Sequence, residues 1–137
     1  MRIIIDGFVQ AQERPRFARR GRGVHTYDPP KSATYKEYVS LIAKRQVKKP
    51  FDEAIEVNIL VYREPPKSWS KKKKREALEG KVKPETRPDV DNYVKSILDG
   101  LNEIAFTDDS LICRLSAEKR YGKKGMAVVE IKPMDPI

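Results

Sequence analysis

Asp89, Asp91, Asp99, Asp108 and Asp109 crowd residues 89–109 of a chain whose formal net charge is +9. They concentrate in two tight motifs, Pro88-Asp89-Val90-Asp91-Asn92 and Thr107-Asp108-Asp109-Ser110. Carboxylates this close repel one another unless a cation or a cationic side chain stands between them. A hard divalent cation such as Mg²⁺ takes carboxylate oxygen and water as ligands. Bound there, it can activate a water and stabilise the leaving oxygen of a phosphodiester. A basic protein that gathers its acids in one segment suggests a metal site aimed at a polyanion. The chemistry implied is metal-dependent cleavage of nucleic acid.

Spacing sharpens the site. Asp89 and Asp91 lie two apart, which in an extended segment points both carboxylates to one side. Lys95 follows Asp91 by one helical turn, so its ammonium could neutralise charge on a scissile phosphate or protonate the leaving group. Each part also has an ordinary reading. Asp91 and Lys95 could be a surface i,i+4 pair worth ~0.5 kcal/mol, and Asp89 and Asp109 could be serving turns. Asp109, with Asp108 as a possible alternative, completes a candidate set of three carboxylate ligands.

The elements that must position these groups follow from periodicity. Arg2–Gln10 alternates Ile3, Ile5 and Val9 and reads as a strand. Residues 11–30 carry Arg14, Arg16, Arg19, Arg20 and Arg22 among Pro, Gly, Phe17 and Tyr27, and read as a loop or irregular hairpin. Guanidinium groups suit bidentate phosphate contacts, so these arginines are the candidate DNA-binding residues; His25, in the same stretch, reads as a surface group. Ser32–Lys48 has helical spacing, with Ser32 or Thr34 as N-cap. Ile55, Val57, Ile59 and Val61 define an inward-facing strand. Ser70 is placed to cap a short helix with the basic run Lys71, Lys72, Lys73, Lys74, a second phosphate-facing candidate or simply a solvated face. Asp91–Ala105 reads as a helix with Val94, Ile97, Leu101, Ile104 and Ala105 on its apolar arc, Asp91 as its N-cap, and Asp91, Lys95, Asp99 and Asn102 on the polar stripe. Leu111–Lys119 and Met126–Ile131 read as a hairpin through Gly122–Gly125, with Cys113 in the core. Trp69 is expected to pack on the sheet. The order is β-α-β-α-α-β-β, an α/β (α+β type) domain with a small mixed sheet of about four strands.

A helix of fifteen residues is ~22 Å long. The two acidic motifs sit at its two ends, so a common site requires the chain to bring those ends together.

Bulk properties bound the rest. The 137 residues suit a single domain, 1–137. One cysteine excludes an intrachain disulfide and a thiolate zinc cluster. No signal-peptide pattern and no apolar run of ~20 residues is present, so a soluble, cytoplasmic protein without a membrane partner is expected. The basic excess is +8 over residues 1–50 and +1 over 51–80, turns to −3 over 81–110, and is +3 over 111–137. An anionic partner fits that distribution.

The run Arg87-Pro88-Asp89-Val90-Asp91-Asn92-Tyr93-Val94-Lys95, then Leu98-Asp99-Gly100-Leu101-Asn102, then Asp108-Asp109-Ser110-Leu111-Ile112, resembles the RusA family of Holliday junction resolvases. Arg14-Pro15-Arg16-Phe17 through Tyr27 and Lys119-Arg120-Tyr121-Gly122 resemble the same family. The resemblance implies a homodimeric endodeoxyribonuclease of bacterial or prophage origin that uses Mg²⁺ (Mn²⁺ as a substitute) and nicks four-way DNA junctions symmetrically in recombination and repair. It implies Asp89, Asp91, Asp109 and Lys95 as the catalytic set, with Arg87 and Asn92 supporting. A non-catalytic nucleic-acid-binding module, or a nuclease acting on flaps or forks, remains the competing reading.

Overall fold

Alternating apolar residues build the sheet and decide which face the helices cover. The computed structural model describes residues 1–136. Along the chain it forms β1 (Arg2–Asp6), β2 (Arg16–Arg20), β3 (Gly23–Tyr27), α1 (Pro30–Gln46), β4 (Ile55–Arg63), α2 (Lys71–Leu78), α3 (Val90–Leu101), a 3₁₀ turn (Asp109–Leu111), β5 (Ile112–Tyr121) and β6 (Met126–Pro133). This is the mixed α+β fold the sequence predicts, with a four-stranded sheet ordered β1-β6-β4-β5. The basic stretch adds a separate two-stranded hairpin, β2–β3.

On β4, Ile55, Val57, Ile59 and Val61 are all buried. Val57, Ile59 and Val61 meet Ile131, Val129 and Ala127 of antiparallel β6 in register, and Ile55 meets Pro133. Ile3 and Ile5 of β1 extend the same face. α1 and α3 pack on it and on each other, and Val39 and Ala43 of α1 join Tyr93, Ile97 and Leu101 of α3 in one core. Gly100 lets the two helices approach closely: a Cβ there would stand 2.6 Å from Val39 Cβ. The hydroxyl of Ser40 donates to the Gly100 carbonyl at 2.7 Å across the same contact.

Several expectations are corrected. β5 and β6 do not form a hairpin: β4 lies between them, parallel to β5 and antiparallel to β6. The glycines of the connection serve its passage over the end of β4. A Cβ on Gly122 would meet Tyr62 at 3.1 Å, and one on Gly125 would meet the Phe8 backbone at 3.1 Å. α3 stops at Leu101 rather than Ala105, because Glu103 takes a left-handed φ of 71°. The chain then turns Ala105 and Phe106 back into the core, where Phe106 bridges to Phe51. The N-cap of α3 is Asp89, not Asp91. α1 is entered through Pro29 and Pro30 without a side-chain cap. Ser32 is instead buried in the helix, and its hydroxyl accepts from the Glu13 amide at 3.0 Å. Cys113 is exposed, because β5 is an edge strand with no neighbour beyond it among the described residues. Trp69 packs edge-on against Tyr121, 5.4 Å between ring centres, as expected.

The opposite edge of the sheet is closed. Gln46 of α1 accepts from the Ile4 amide at 3.0 Å and donates to the Ile4 carbonyl at 2.8 Å. Tyr38 donates to the Asp6 carbonyl at 2.8 Å. Side chains thus take the place of a strand along β1. No helix is long and apolar enough to cross a membrane among the described residues.

Candidate active site

Asp89 caps α3 by position but not by bonding. Its backbone is extended, with φ −70° and ψ 149°, yet its side chain makes no capping hydrogen bond. An aspartate N-cap ordinarily accepts from the N2 or N3 amide, and losing that bond costs about 1 kcal/mol. Here the carboxylate stays free at a helix N-terminus, where partial positive charge favours anions. Asp91 follows in the first helical turn and is exposed. Two free carboxylates and a helix dipole therefore share one terminus.

Two basic residues hold the turn that delivers them. Lys119 on β5 donates to the Thr86 and Pro88 carbonyls, both at 3.1 Å. Arg63 at the end of β4 donates to the Arg87 carbonyl at 3.1 Å and to the Thr86 hydroxyl. Its guanidinium also lies over Tyr121, 5.6 Å from the ring centre. Arg87 itself precedes a cis Pro88. Lys119 and Arg63 were not singled out as site residues from the sequence. The Lys119-Arg120-Tyr121-Gly122 run was the available signal, and its role became visible only once β5 lay beside β4.

Lys95 stands one turn into α3 and donates to Asp99 at 3.2 Å. Asp99 also takes Lys36 of α1 at 3.1 Å, and Lys36 reaches Asp28 at 2.9 Å. Gln12 donates to the other oxygen of Asp28 at 2.7 Å. Burial works against the charge on Lys36, but the two carboxylates outweigh it and hold the ammonium above the usual lysine range. Burial likewise favours a protonated Asp28, but the bonds from Gln12 and Lys36 prevail and hold it below the usual carboxylate range. Asn92 gives its carbonyl to the Gln12 amide at 2.9 Å, and Ser96 donates to the Gln10 carbonyl at 2.7 Å. Those bonds lay the segment leading to the basic hairpin along the acidic end of α3.

The basic hairpin is rooted beside α3 through Gln12, and α2 is linked to Arg63 through Trp69 and Tyr121. Arg14, Arg16, Arg19, Arg20 and Arg22 are all exposed on or beside the hairpin. His25 stacks on Tyr27 there, 6.2 Å apart. α2 begins at Ser70, whose hydroxyl accepts from the Lys73 amide at 3.2 Å. Lys73 sits 4.0 Å over the Trp69 ring, which rests on Tyr121 beside Arg63. Lys71, Lys72 and Lys73 are exposed and Lys74 is half-buried.

The second acidic motif lies elsewhere. α3 runs antiparallel to β4 and β5: Arg63 touches residues 86 and 87, while Thr107 bonds Phe51 and Asp52 at the other end of β4. Within one chain, Asp108 and Asp109 are separated from Asp89 and Asp91 by the length of α3, twelve residues or about 18 Å. Among the described residues no three carboxylate, histidine or cysteine side chains converge to hold a metal. The two adjacent aspartates also differ. Asp108 accepts from the Ser110 amide at 3.0 Å and caps the 3₁₀ turn. That contact with Ser110 holds its carboxyl below the usual range. Asp109 is exposed in the first turn, without that duty.

A pair of carboxylates is nonetheless sufficient protein for Mg²⁺, which commonly keeps several waters and takes one or two carboxylates together with substrate phosphates. Asp89 and Asp91 fit that donor set. Asp109 could join it only from a second chain.

A basic domain that leaves the acids of a helix terminus free of its own structure has the charge arrangement that metal-dependent chemistry on a polyanion requires. The family is specific: residues 6–132 match the sequence model of Endodeoxyribonuclease RusA, and the chain belongs to that family. It is also 38% identical over 135 residues to the uncharacterized protein YqaN of Bacillus subtilis (strain 168), covering 96% of this chain and 95% of that one. Membership carries nuclease activity on DNA and, generally, resolution of Holliday junctions.

Proposed function

We propose that this protein is a Mg²⁺-dependent endodeoxyribonuclease that resolves four-way DNA junctions as a homodimer, by paired symmetric nicks. One observation carries the reading: Asp89 and Asp91 stand unspent at the N-terminus of α3, with Lys95 one turn further and basic elements around them. Mg²⁺ held by Asp89 and Asp91 would supply an activated water and charge neutralisation at the scissile phosphate. The α3 terminus attracts that phosphate. Lys95 offers an ammonium to the charge that builds on it, or a proton to the leaving oxygen. Arg63 and Lys119 keep the acidic turn rigid. The β2–β3 arginines and the α2 lysines hold the junction arms by phosphate contacts that carry no sequence information.

The dimer follows from the sheet edges. β1 is closed by Gln46 and Tyr38, whereas β5 is a bare ten-residue edge. Bare edges invite strand pairing. Leu115 pairs with Val57, so it points to the helix-covered face, yet it is 45% exposed. Val90 on α3 is 38% exposed, and Val94 and Leu98 are half-buried. An antiparallel β5–β5 pairing would bury this strip. It would also run the start of one β5, behind Asp109, toward the end of the other, beside Asp89. Each site would then draw Asp89, Asp91 and Lys95 from one chain and Asp109 from its partner.

A junction cleavage assay with and without Mg²⁺ tests the activity. Paired nicks are expected with Mg²⁺, and Asp91→Asn should lose them while binding the junction as well or better. Cutting by Asp91→Asn at the parental rate would end the metal-site reading. Equal cleavage of a junction, a fork and a linear duplex would end the junction selectivity. Subunit mixing tests the shared site. A heterodimer of Asp91→Asn with Asp109→Asn keeps one intact composite site and should regain nicking. Sites confined to one chain would leave both halves inactive.

A further inference from the structure

We infer that Asp99 is a positioning residue that sets the Lys95 ammonium for cleavage, itself fixed by a Gln12–Asp28–Lys36 chain from the base of the basic hairpin. The inference rests on the proposed role of Lys95. Lys95 is 60% exposed and carries a long flexible stem, so it cannot hold one geometry unaided. A lone surface i,i+4 pair is too weak to do so. Asp99 is not a lone partner. The same Oδ2 that accepts from Lys95 at 3.2 Å accepts from Lys36 at 3.1 Å. Lys36 is only 21% exposed and is gripped on its other side by Asp28 at 2.9 Å. Asp28 is in turn held by Gln12 at 2.7 Å.

Exposure therefore falls from Lys95 inward to Lys36, and the carboxylate between them is anchored from α1 rather than from its own helix. Lys95 pivots about a point held by two elements, α1 and α3, which approach closely enough at Gly100 that a Cβ would stand 2.6 Å from Val39 Cβ, and which Ser40 ties together by donating to the Gly100 carbonyl at 2.7 Å. The charges alternate along Asp28, Lys36, Asp99 and Lys95 and sum to zero, so Asp99 holds Lys95 without surplus negative charge to repel a phosphate. Asp28 directly follows β3, which makes the hairpin's root one end of the chain of contacts.

The test is single-turnover cleavage of a four-way junction with Mg²⁺, beside junction affinity and thermal stability. Asp99→Asn should slow cleavage on the order of tenfold to a hundredfold, the scale of a misplaced catalytic group, with affinity and melting temperature unchanged. Asp99→Glu should recover part of the rate. Lys36→Gln should give a smaller loss of the same kind. In a Lys95→Met background, Asp99→Asn should do nothing further, because the group it positions is gone. Parental rates for Asp99→Asn, or an equal loss with and without Lys95, would overturn the inference. If Asp91→Asn is dead while Asp99→Asn cuts normally, the site reading stands and only the positioning role falls. If the parental protein fails to cut, both fall.

Discussion

Asp89 and Asp108 are the same side chain in the same kind of place, the residue before a helical turn, and they are used differently. Asp108 gives its carboxylate to the Ser110 amide, whereas Asp89 gives its own to nothing in α3. Asp108→Ala should therefore lower the melting temperature, and Asp108→Asn, which can still cap, should restore it. Asp89→Asn and Asp109→Asn should leave the melting temperature near the parental value and abolish cleavage. Calorimetry beside a junction assay separates these roles. The two acidic motifs, DxDN and DD, were legible in the sequence as motifs, and so was the requirement that something bring the two ends of α3 together; the single chain does not do so. Which of Asp108 and Asp109 is structural was not legible, since both suit a turn, and only the Ser110 contact distinguishes them.

Between elements, the contact of α1 with α3 is the one that everything near Lys95 depends on. Gly100→Ala puts a methyl 2.6 Å from Val39 Cβ. Overpacking of this kind typically costs 1–3 kcal/mol, so urea unfolding should show a lowered midpoint at unchanged slope. The Asp28–Lys36 pair that leads into this contact has a pH signature. Asp28 is held below its ordinary pKa, so its stabilisation is present above the unfolded carboxylate value of ~4 and is lost as pH falls through the lower folded value. Lys36 is raised, so its contribution is present below ~10.4 and is lost as pH rises through the folded value. The melting-temperature gap between the parental protein and Asp28→Asn should be widest between those limits and close in acid. Periodicity made β1, β4 and both long helices readable, because Ile3, Ile5, Val57 and Ile97 each repeat with their element. It could not reveal that β4 separates β5 from β6. Strand partners are chosen by long-range packing, and a four-residue glycine connection looks the same whether it turns a hairpin or crosses a strand end.

Across the whole molecule the basic surface is the proposed electrostatic grip on DNA, and its strength should track salt. Junction affinity should fall linearly on a log–log plot, with a slope of about −0.9 per phosphate contacted. Arg16→Ala with Arg19→Ala should make that slope shallower by about 2 if each meets one phosphate, with little change in the preference for junction over duplex. Leu115→Asp, at the exposed edge, should yield monomers by light scattering and lose cleavage with them. The edges carry one more consequence. A sheet with two open edges could add copies without limit, and its product would be a fibre. Gln46 spends both polar ends of its amide on Ile4, which on the proposed β5–β5 pairing would give this sheet a valence of one. In the proposed dimer growth would end after a single partner, and the cutting centres would be capped at two, the number a four-way junction needs. Gln46→Ala would raise that valence, and the expected product is a ladder of larger assemblies in which cutting is no longer counted in pairs.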